Sequence, residues 1–133
     1  MFSNFDEESR KVLTKSKEEM QILKHPYIGT EHLILSMLKN SNYKATKIFN
    51  KYGITYNKFK DEIIKIIGVG KESNEWFLYT PLLKRIIEEA IIISREQNLD
   101  EIKLEHILAA LFDENDWKNI SDTQKDKVYD SLD

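Results

Sequence analysis

The chain contains one sequence unit twice, displaced by 74 residues. The dipeptide Glu31-His32 recurs as Glu105-His106, and the same offset aligns residues 5–38 with residues 79–112 without a gap. Apolar character is retained at aligned positions such as Val12/Ile86, while the polar positions between them have diverged. A unit repeated at constant spacing usually cannot bury its apolar face alone, so its natural partner is the neighbouring copy. The repeat therefore predicts two units packed together about a pseudo-twofold axis.

Length and composition indicate an ordinary globular domain and exclude several classes of protein. The chain has 133 residues, 41% of them hydrophobic and 32% charged, which suits a single domain with a sizeable core. The net charge of −3 disfavours binding to duplex nucleic acid, which depends largely on Lys and Arg contacts to phosphate. The absence of cysteine excludes disulfides, thiolate metal sites and cysteine nucleophiles. The longest apolar run, 90–93, is too short for a membrane span, and no signal peptide is recognisable, so we expect a cytoplasmic protein.

Apolar residues recur at helical spacing along the whole chain, and no segment alternates as a strand would. The patterns predict an all-α fold of about seven to eight helices. Asp6, Thr30, Thr55 and Thr80 have the side chains that commonly cap helix N-termini, and Pro81 follows at a favourable first position. A stripe of isoleucines, at 63, 64, 66 and 67, belongs to the helix after Thr55.

The helical segments group into a single domain made of two repeats. We expect repeat one at 5–67, a connector at 68–78 and repeat two at 79–133. Repeat two is shortened, because few residues follow Phe112, and one terminal helix is expected there at 122–132. The expected core residues are apolar positions on the paired helices of both repeats: Val12, Leu13, Leu35, Leu38, Ile86, Ile87, Leu108 and Leu111.

Three segments resemble a known family. Residues 5–13, residues 23–35 with the run Ile-Gly-Thr-Glu-His at 28–32, and Tyr79-Thr80-Pro81 are similar to the double-repeat N-terminal domain of Clp-type protein-unfolding ATPases, most closely the ClpC kind. In the second repeat, Lys103-Leu104 replaces the Gly-Thr of this signature.

The resemblance implies a non-catalytic domain without a cofactor, monomeric in isolation, that binds adaptor proteins and protein substrates for an unfoldase. A stand-alone regulator that competes for the same adaptors is the alternative. The sequence also lacks the Gly-x-x-x-x-Gly-Lys-Ser/Thr loop of a nucleotide-binding site and any nucleophile with an attendant base.

ClpC-like members of this family bind phosphorylated arginine, and the resemblance assigns Glu31 and Glu105 to the guanidinium group. A helix N-terminus can supply the matching anion site for the phosphate. Within repeat two, we expect Thr80 and Lys84 to complete a site with Glu105. In repeat one the corresponding residues are Asp6 and Arg10, and the carboxylate of Asp6 would repel phosphate. The sequence therefore predicts asymmetric binding, mainly in repeat two.

The histidines and aromatic residues admit less specific interpretations. His32 and His106 precede apolar runs and are expected to pack or hydrogen-bond rather than to act as ligands. A metal site built from the two Glu-His pairs is disfavoured, because adjacent helical residues do not share a face; no metal site is expected. Aromatic residues near the chain start and in the connector are candidates for a partner-binding surface: Phe2, Phe5, Trp76, Phe77 and Tyr79. For Phe5 and Tyr79, core filling is an equal alternative.

Overall fold

The structure is a computed structural model, and it describes residues 2, 4–73 and 75–113. Within these ranges the chain is helical, and its β structure amounts to two isolated bridges. The helices are α1 (Glu7–Leu23), α2 (Thr30–Leu38), α3 (Lys44–Lys51), α4 (Tyr56–Ile66), α5 (Pro81–Glu96) and α6 (Leu104–Asp113). The all-α prediction is confirmed. The described residues form six helices, whereas seven to eight are expected for the whole chain, and the terminal helix expected at 122–132 lies outside the described residues. No described helix is long and apolar enough to cross a bilayer.

Short polar side chains begin three of these helices. The Asp6 carboxylate accepts the N–H of Ser9 at 2.9 Å, and the Thr80 hydroxyl accepts the N–H of Leu83 at 3.2 Å. Thr55 caps α4 in the same way. The expectation for Thr30 was wrong, because Gly29 occupies the N-cap of α2 and Thr30 is its first helical residue. The ring of His32 accepts the Gly29 N–H instead, at 2.9 Å, so a side chain from inside the helix does the capping.

The backbone contacts between the two repeats follow the offset of 74 residues. Phe5 forms a parallel bridge with Ile102, and Ile28 forms one with Tyr79, so each bridge becomes the other when the repeats exchange. Four supporting backbone hydrogen bonds, all of 2.9 Å, form two equivalent pairs. Asp6 N–H donates to Ile102 O as Thr80 N–H donates to Ile28 O, and Ile102 N–H donates to Asn4 O as Ile28 N–H donates to Leu78 O. Two backbone ladders therefore relate the repeats as a pseudo-twofold axis would.

Each repeat begins with an antiparallel pair of helices. Residues 24–29 join α1 to α2, and residues 97–103 join α5 to α6. Lys24 and Asn98, which are equivalent in the repeat, both have left-handed backbone conformations, with φ of 56° and 58°. At 1.5 Å per residue, the 17-residue helix α1 is about 25 Å long. The start of α2 therefore lies beside the end of α1, far from the start of α1.

The apolar faces of these helix pairs form the core. All eight residues expected in the core are buried. The stripe on α4 was overestimated: Ile63 is buried against Leu23 and Leu35, whereas the neighbouring Ile64, Ile66 and Ile67 are exposed. A helix that contacts the core with one narrow face buries only part of a continuous isoleucine run.

Candidate functional site

The structure brings the start of α2 together with the start of α5. Ile28, just before α2, donates its N–H to the Leu78 carbonyl, and its own carbonyl accepts the N–H of Thr80. Glu31 lies in the first turn of α2, and Lys84 lies one turn into α5. We call this meeting of Thr30, Glu31, Thr80 and Lys84 the Glu31 junction.

The equivalent meeting joins the start of α6 to the start of α1. Asp6 donates its N–H to the carbonyl of Ile102, two residues before α6 begins. Glu105 lies in the first turn of α6, and a cavity of about 30 Å³ beside it is lined by Glu8, Lys44 and Leu104 among others. We call the group of Asp6, Glu8, Arg10, Lys44 and Glu105 the Glu105 junction.

The pairing expected from the sequence was therefore wrong, since Thr80 and Lys84 adjoin Glu31 and not Glu105. The cause is the antiparallel arrangement within each repeat. Glu105 lies at the far end of α5 from Thr80, and a 16-residue helix is about 24 Å long. Each junction takes one helix start from each repeat, which a comparison within one repeat does not show. The short 24–29 loop could have revealed this arrangement, because a short connection makes α1 and α2 antiparallel and so separates their starts.

The carboxylate of Glu31 is half-buried and folds back over Gly29. A Cβ atom at Gly29 would lie 2.5–2.8 Å from the Glu31 carboxyl atoms, so the glycine leaves the space that this conformation needs. Glu31 Oε1 lies 3.6 Å from His32 Nδ1, and 28% of the Glu31 side chain is exposed. Lys103 occupies the equivalent of Gly29 in repeat two, where Glu105 has no such space.

A chain of hydrogen bonds runs behind Glu31 through two buried histidines. Gly29 N–H donates to His32 Nδ1, so the neutral His32 ring carries its hydrogen on Nε2. That nitrogen lies 2.8 Å from Nδ1 of His25, whose Nε2 lies 2.7 Å from the carbonyl of Gly68. One choice of tautomers satisfies every group: His32 donates to His25, and His25 donates to the Gly68 carbonyl at the start of the connector.

The expectation that His32 and His106 are internal hydrogen-bonding residues is confirmed. His32 is fully buried and His106 nearly so. The ring of His106 accepts the N–H of Lys103 at 2.8 Å and contacts Gln97 Oε1 at 2.9 Å. Burial, followed by repulsion from His25, lowers the pKa of His32 from 6.5 to about 4. Burial also lowers the pKa of His106, against the opposing effect of the Glu105 and Asp6 carboxylates.

One group of three potential metal ligands occurs among the described residues: His25, Glu31 and His32, with candidate ligand atoms within 4.8 Å of one another. All four ring nitrogens of the two histidines already take part in hydrogen bonds. The 2.8 Å separation between the facing nitrogens is also short for two ligands of one tetrahedral ion with bonds of about 2.0–2.1 Å. The geometry therefore fits a hydrogen-bonded histidine pair better than a metal centre.

The aromatic residues expected at a partner surface divide into two groups. Of the two alternatives for Phe5, core filling is confirmed and a place on the partner surface was wrong, because Phe5 is buried beside its bridge to Ile102. Phe2 and Tyr79 are half-buried and pack edge to face with each other. Trp76 is 81% exposed, and Phe77 is 43% exposed with the ammonium of Lys17 over its ring at 4.2 Å. The connector therefore presents Trp76 and Phe77 at the surface.

Known proteins resemble this chain in both sequence and fold. The family described as the Clp repeat (R) N-terminal domain matches residues 4–123. The chaperone protein ClpB of Oceanobacillus iheyensis and the ATP-dependent Clp protease ATP-binding subunit ClpC of Staphylococcus epidermidis are each 35% identical over 116 residues. These alignments cover 87% of this chain and 14% of each relative, so the chain corresponds to a small part of those proteins.

Solved structures have the same fold at lower identity. The Hsp104 N-terminal domain from Candida albicans has a TM-score of 0.80 at 12% identity, covering 98% of this chain and 89% of that one. The ClpV N-domain in complex with a VipB peptide has a TM-score of 0.69 at 16% identity, covering 99% of this chain and 81% of that one. The family match spans most of the chain and agrees with the two-repeat helical fold. This chain belongs to the Clp repeat N-terminal domain family.

Proposed function

We propose that this chain is a recognition domain that binds adaptor proteins and protein substrates for a Clp-type unfolding ATPase, without catalytic activity of its own. Membership of the family supports binding, and the ClpV N-domain provides a relative of the same fold in complex with a peptide. The sequence contains no phosphate-binding loop for a nucleotide.

We further propose that the Glu31 junction binds phosphoarginine. The observation that carries this proposal is the meeting of a carboxylate with two helix starts. A guanidinium group needs a carboxylate acceptor, and Glu31 is the acidic residue in the first turn of α2. The phosphate needs an anion site, and the starts of α2 and α5 present the positive ends of two helix dipoles. The hydroxyl of Thr80 can still donate a hydrogen bond, and the exposed Lys84 adds positive charge.

Charge favours the Glu31 junction over the Glu105 junction. The first turn of α5 has no acidic residue, whereas the first turn of α1 carries Glu7 and Glu8 behind the Asp6 cap. A phosphate at the Glu105 junction would meet these carboxylates as well as Glu105 itself. Arg10 and Lys44 offset only part of that negative charge. This reverses the expectation that repeat two holds the better site.

Calorimetric titration of free phosphoarginine into matched variants tests the proposal. Glu31→Ala removes the guanidinium acceptor, and the loss of a charge-assisted bond of about 1.5–3 kcal/mol should weaken binding roughly ten- to a hundredfold. Glu105→Ala, the same change in the other repeat, should have a much smaller effect. Lys84→Gln should weaken binding more than Arg10→Gln does.

Two results would contradict the proposal in different ways. A larger loss with Glu105→Ala would assign the ligand to the Glu105 junction. No binding by the unaltered chain, with unmodified arginine as the control, would limit the function to recognition of protein partners. In that case Trp76 and Phe77 are the next residues to alter.

A further inference from the structure

When His32 and His25 are neutral, the chain of three hydrogen bonds behind Glu31 contains one hydrogen for each bond. Gly29 N–H donates to His32, His32 donates to His25, and His25 donates to the Gly68 carbonyl, with heavy-atom distances of 2.9, 2.8 and 2.7 Å. Every ring nitrogen either gives or receives one bond. One added proton must therefore place two donors opposite each other somewhere along the chain.

The added proton has two possible effects on the geometry. If the conflict lies between the rings, two buried N–H groups face each other at 2.8 Å with no acceptor shown beside them. If His25 instead donates to His32 Nε2, or if His32 itself is charged, the hydrogen on His32 Nδ1 opposes the Gly29 N–H. Only this second arrangement has an anion at hand, because Glu31 Oε1 lies 3.6 Å from His32 Nδ1. An opposite charge within about 4–6 Å stabilises the protonated form.

Among the charged groups around the histidine pair, Glu31 is the one placed to respond when the pair takes up a proton. Among the described residues, Glu31 is the carboxylate shown within 4 Å of a ring nitrogen of either histidine. From the end of α1 the nearest charge in sequence is Lys24, which is exposed. From α4, Glu62 and Lys65 contact each other at 3.3 Å and are exposed. From α5, Lys84 is exposed. Water screens these groups far more than it screens Glu31.

We infer that the His25–His32 pair is a proton-linked switch on the Glu31 carboxylate. Proton uptake by the pair draws Glu31 toward His32 Nδ1 and withdraws it from the mouth of the Glu31 junction. Loss of the proton returns His32 Nδ1 to the Gly29 N–H and frees the carboxylate to accept a ligand. By linkage, a cation bound at Glu31 must in turn disfavour the protonated pair. The consequence for phosphoarginine rests on the proposed function, whereas the switch itself requires no ligand.

Repeat two provides the control, because its histidine has a different partner. His106 keeps the bond from the Lys103 N–H, but its other nitrogen meets the amide of Gln97, which does not titrate. The residue equivalent to His25 is Leu99. A proton cannot pass to a second ring there. Glu105→Gln is therefore matched in chemistry to Glu31→Gln but lies outside the histidine chain of repeat one.

Nuclear magnetic resonance of the ligand-free chain between pH 7.5 and 3 tests the inference. The nitrogen shifts of the His25 and His32 rings report their protonation, and the amide of Gly29 reports the loss of its acceptor. In the unaltered chain the Gly29 amide should titrate together with the His32 Nδ1 signal. Glu31→Gln should lower that shared midpoint by roughly one pH unit, because it removes the nearby anion. Glu105→Gln should leave it unchanged.

Three outcomes would overturn the inference: a Gly29 amide that titrates independently of His32, an equal effect of the two Glu→Gln changes, or a His32 ring that keeps its neutral tautomer to pH 3. Glu31 is partly exposed, so the test does not depend on a variant with a disrupted core. Failure of phosphoarginine to bind would refute the proposed ligand but would not alter these titrations. The two proposals can therefore fail separately.

Discussion

Glu19 shows how one residue can join three helices without any signal in the sequence. Its side chain is 2% exposed, although it belongs to α1 and follows the exposed Glu18 in the sequence. One carboxylate oxygen lies 3.3 Å from Lys39 Nζ just after α2, and the other accepts the hydroxyl of Tyr56 on α4 at 2.7 Å. Burial, followed by the hydrogen bond and charge of Glu19, raises the pKa of Tyr56. Glu19 therefore fastens α4 and the end of α2 to α1.

Glu19→Gln should destabilise the fold by about 1–3 kcal/mol, because the new amide NH₂ must face Lys39 or the Tyr56 hydroxyl inside the protein. Urea unfolding of the two proteins measures the difference. Glu7→Gln is the matched control, since Glu7 pairs with Lys11 at 3.1 Å but is well exposed, and it should change stability by less than about 1 kcal/mol. Equal effects of the two changes would show that the buried contacts of Glu19 do not stabilise the fold.

At the scale of the helices, α2 and α6 each pack against three others, and the neighbours of α2 are α1, α3 and α4. Its residues 32–38 are all buried, including the polar Ser36, whose hydroxyl donates to the Val12 carbonyl at 2.7 Å. Leu35 is fully buried against Leu23 and Ile63. The helix that holds Glu31 is therefore fixed on three sides, which gives the carboxylate a rigid base.

Leu35→Ala should cost about 2–5 kcal/mol, because it leaves a cavity among three packed helices. The same substitution at Ile66, which is 63% exposed on α4, should change stability by less than about 0.5 kcal/mol. Thermal and urea unfolding measure both variants. A near-neutral effect of Leu35→Ala on stability would show that α2 does not pack in the core as described.

The sequence predicted features that depend on local chemistry and missed those that depend on distant contacts. Asp6, Thr55 and Thr80 cap helices because a short side chain meets a backbone N–H three residues away. The core positions followed from helical periodicity. The crosswise junctions and the His25–His32 pair were missed, because each depends on how two separate segments meet. Thr30 was misread as a cap as well, because Gly29 occupies that position and the His32 ring accepts its N–H.

At the scale of the whole molecule, the pseudo-twofold axis produces two junctions that are related in geometry but differ in charge. The bridges at Phe5–Ile102 and Ile28–Tyr79 are equivalent, so the same backbone frame holds both junctions. Acidic residues occur in the first turn of α1 but not in that of α5. The two repeats thus share a core pattern but present two different surfaces. We propose that one of them binds the ligand.

The stability of the whole domain should depend on pH through His32. Its pKa is about 4 in the folded chain and 6.5 in the reference state, so the unfolded chain binds more protons between these values. Stability is therefore complete above about pH 6.5 and falls as the pH drops toward 4, by on the order of 3 kcal/mol from this residue. Urea unfolding from pH 7 to 4 measures the decline. His32→Gln should flatten it, and an unchanged slope in that variant would assign the pH dependence to other groups.

Each junction is built from both repeats, and paramagnetic labelling tests this arrangement most directly. The chain has no cysteine, so a single nitroxide label can be attached at Lys84→Cys or at Arg10→Cys. The label at position 84 should broaden the amide signals of Thr30 and Glu31 more strongly than that of Glu105. The label at position 10 should do the reverse. Stronger broadening of Glu105 from position 84, and of Glu31 from position 10, would contradict the crosswise arrangement and restore a site within each repeat.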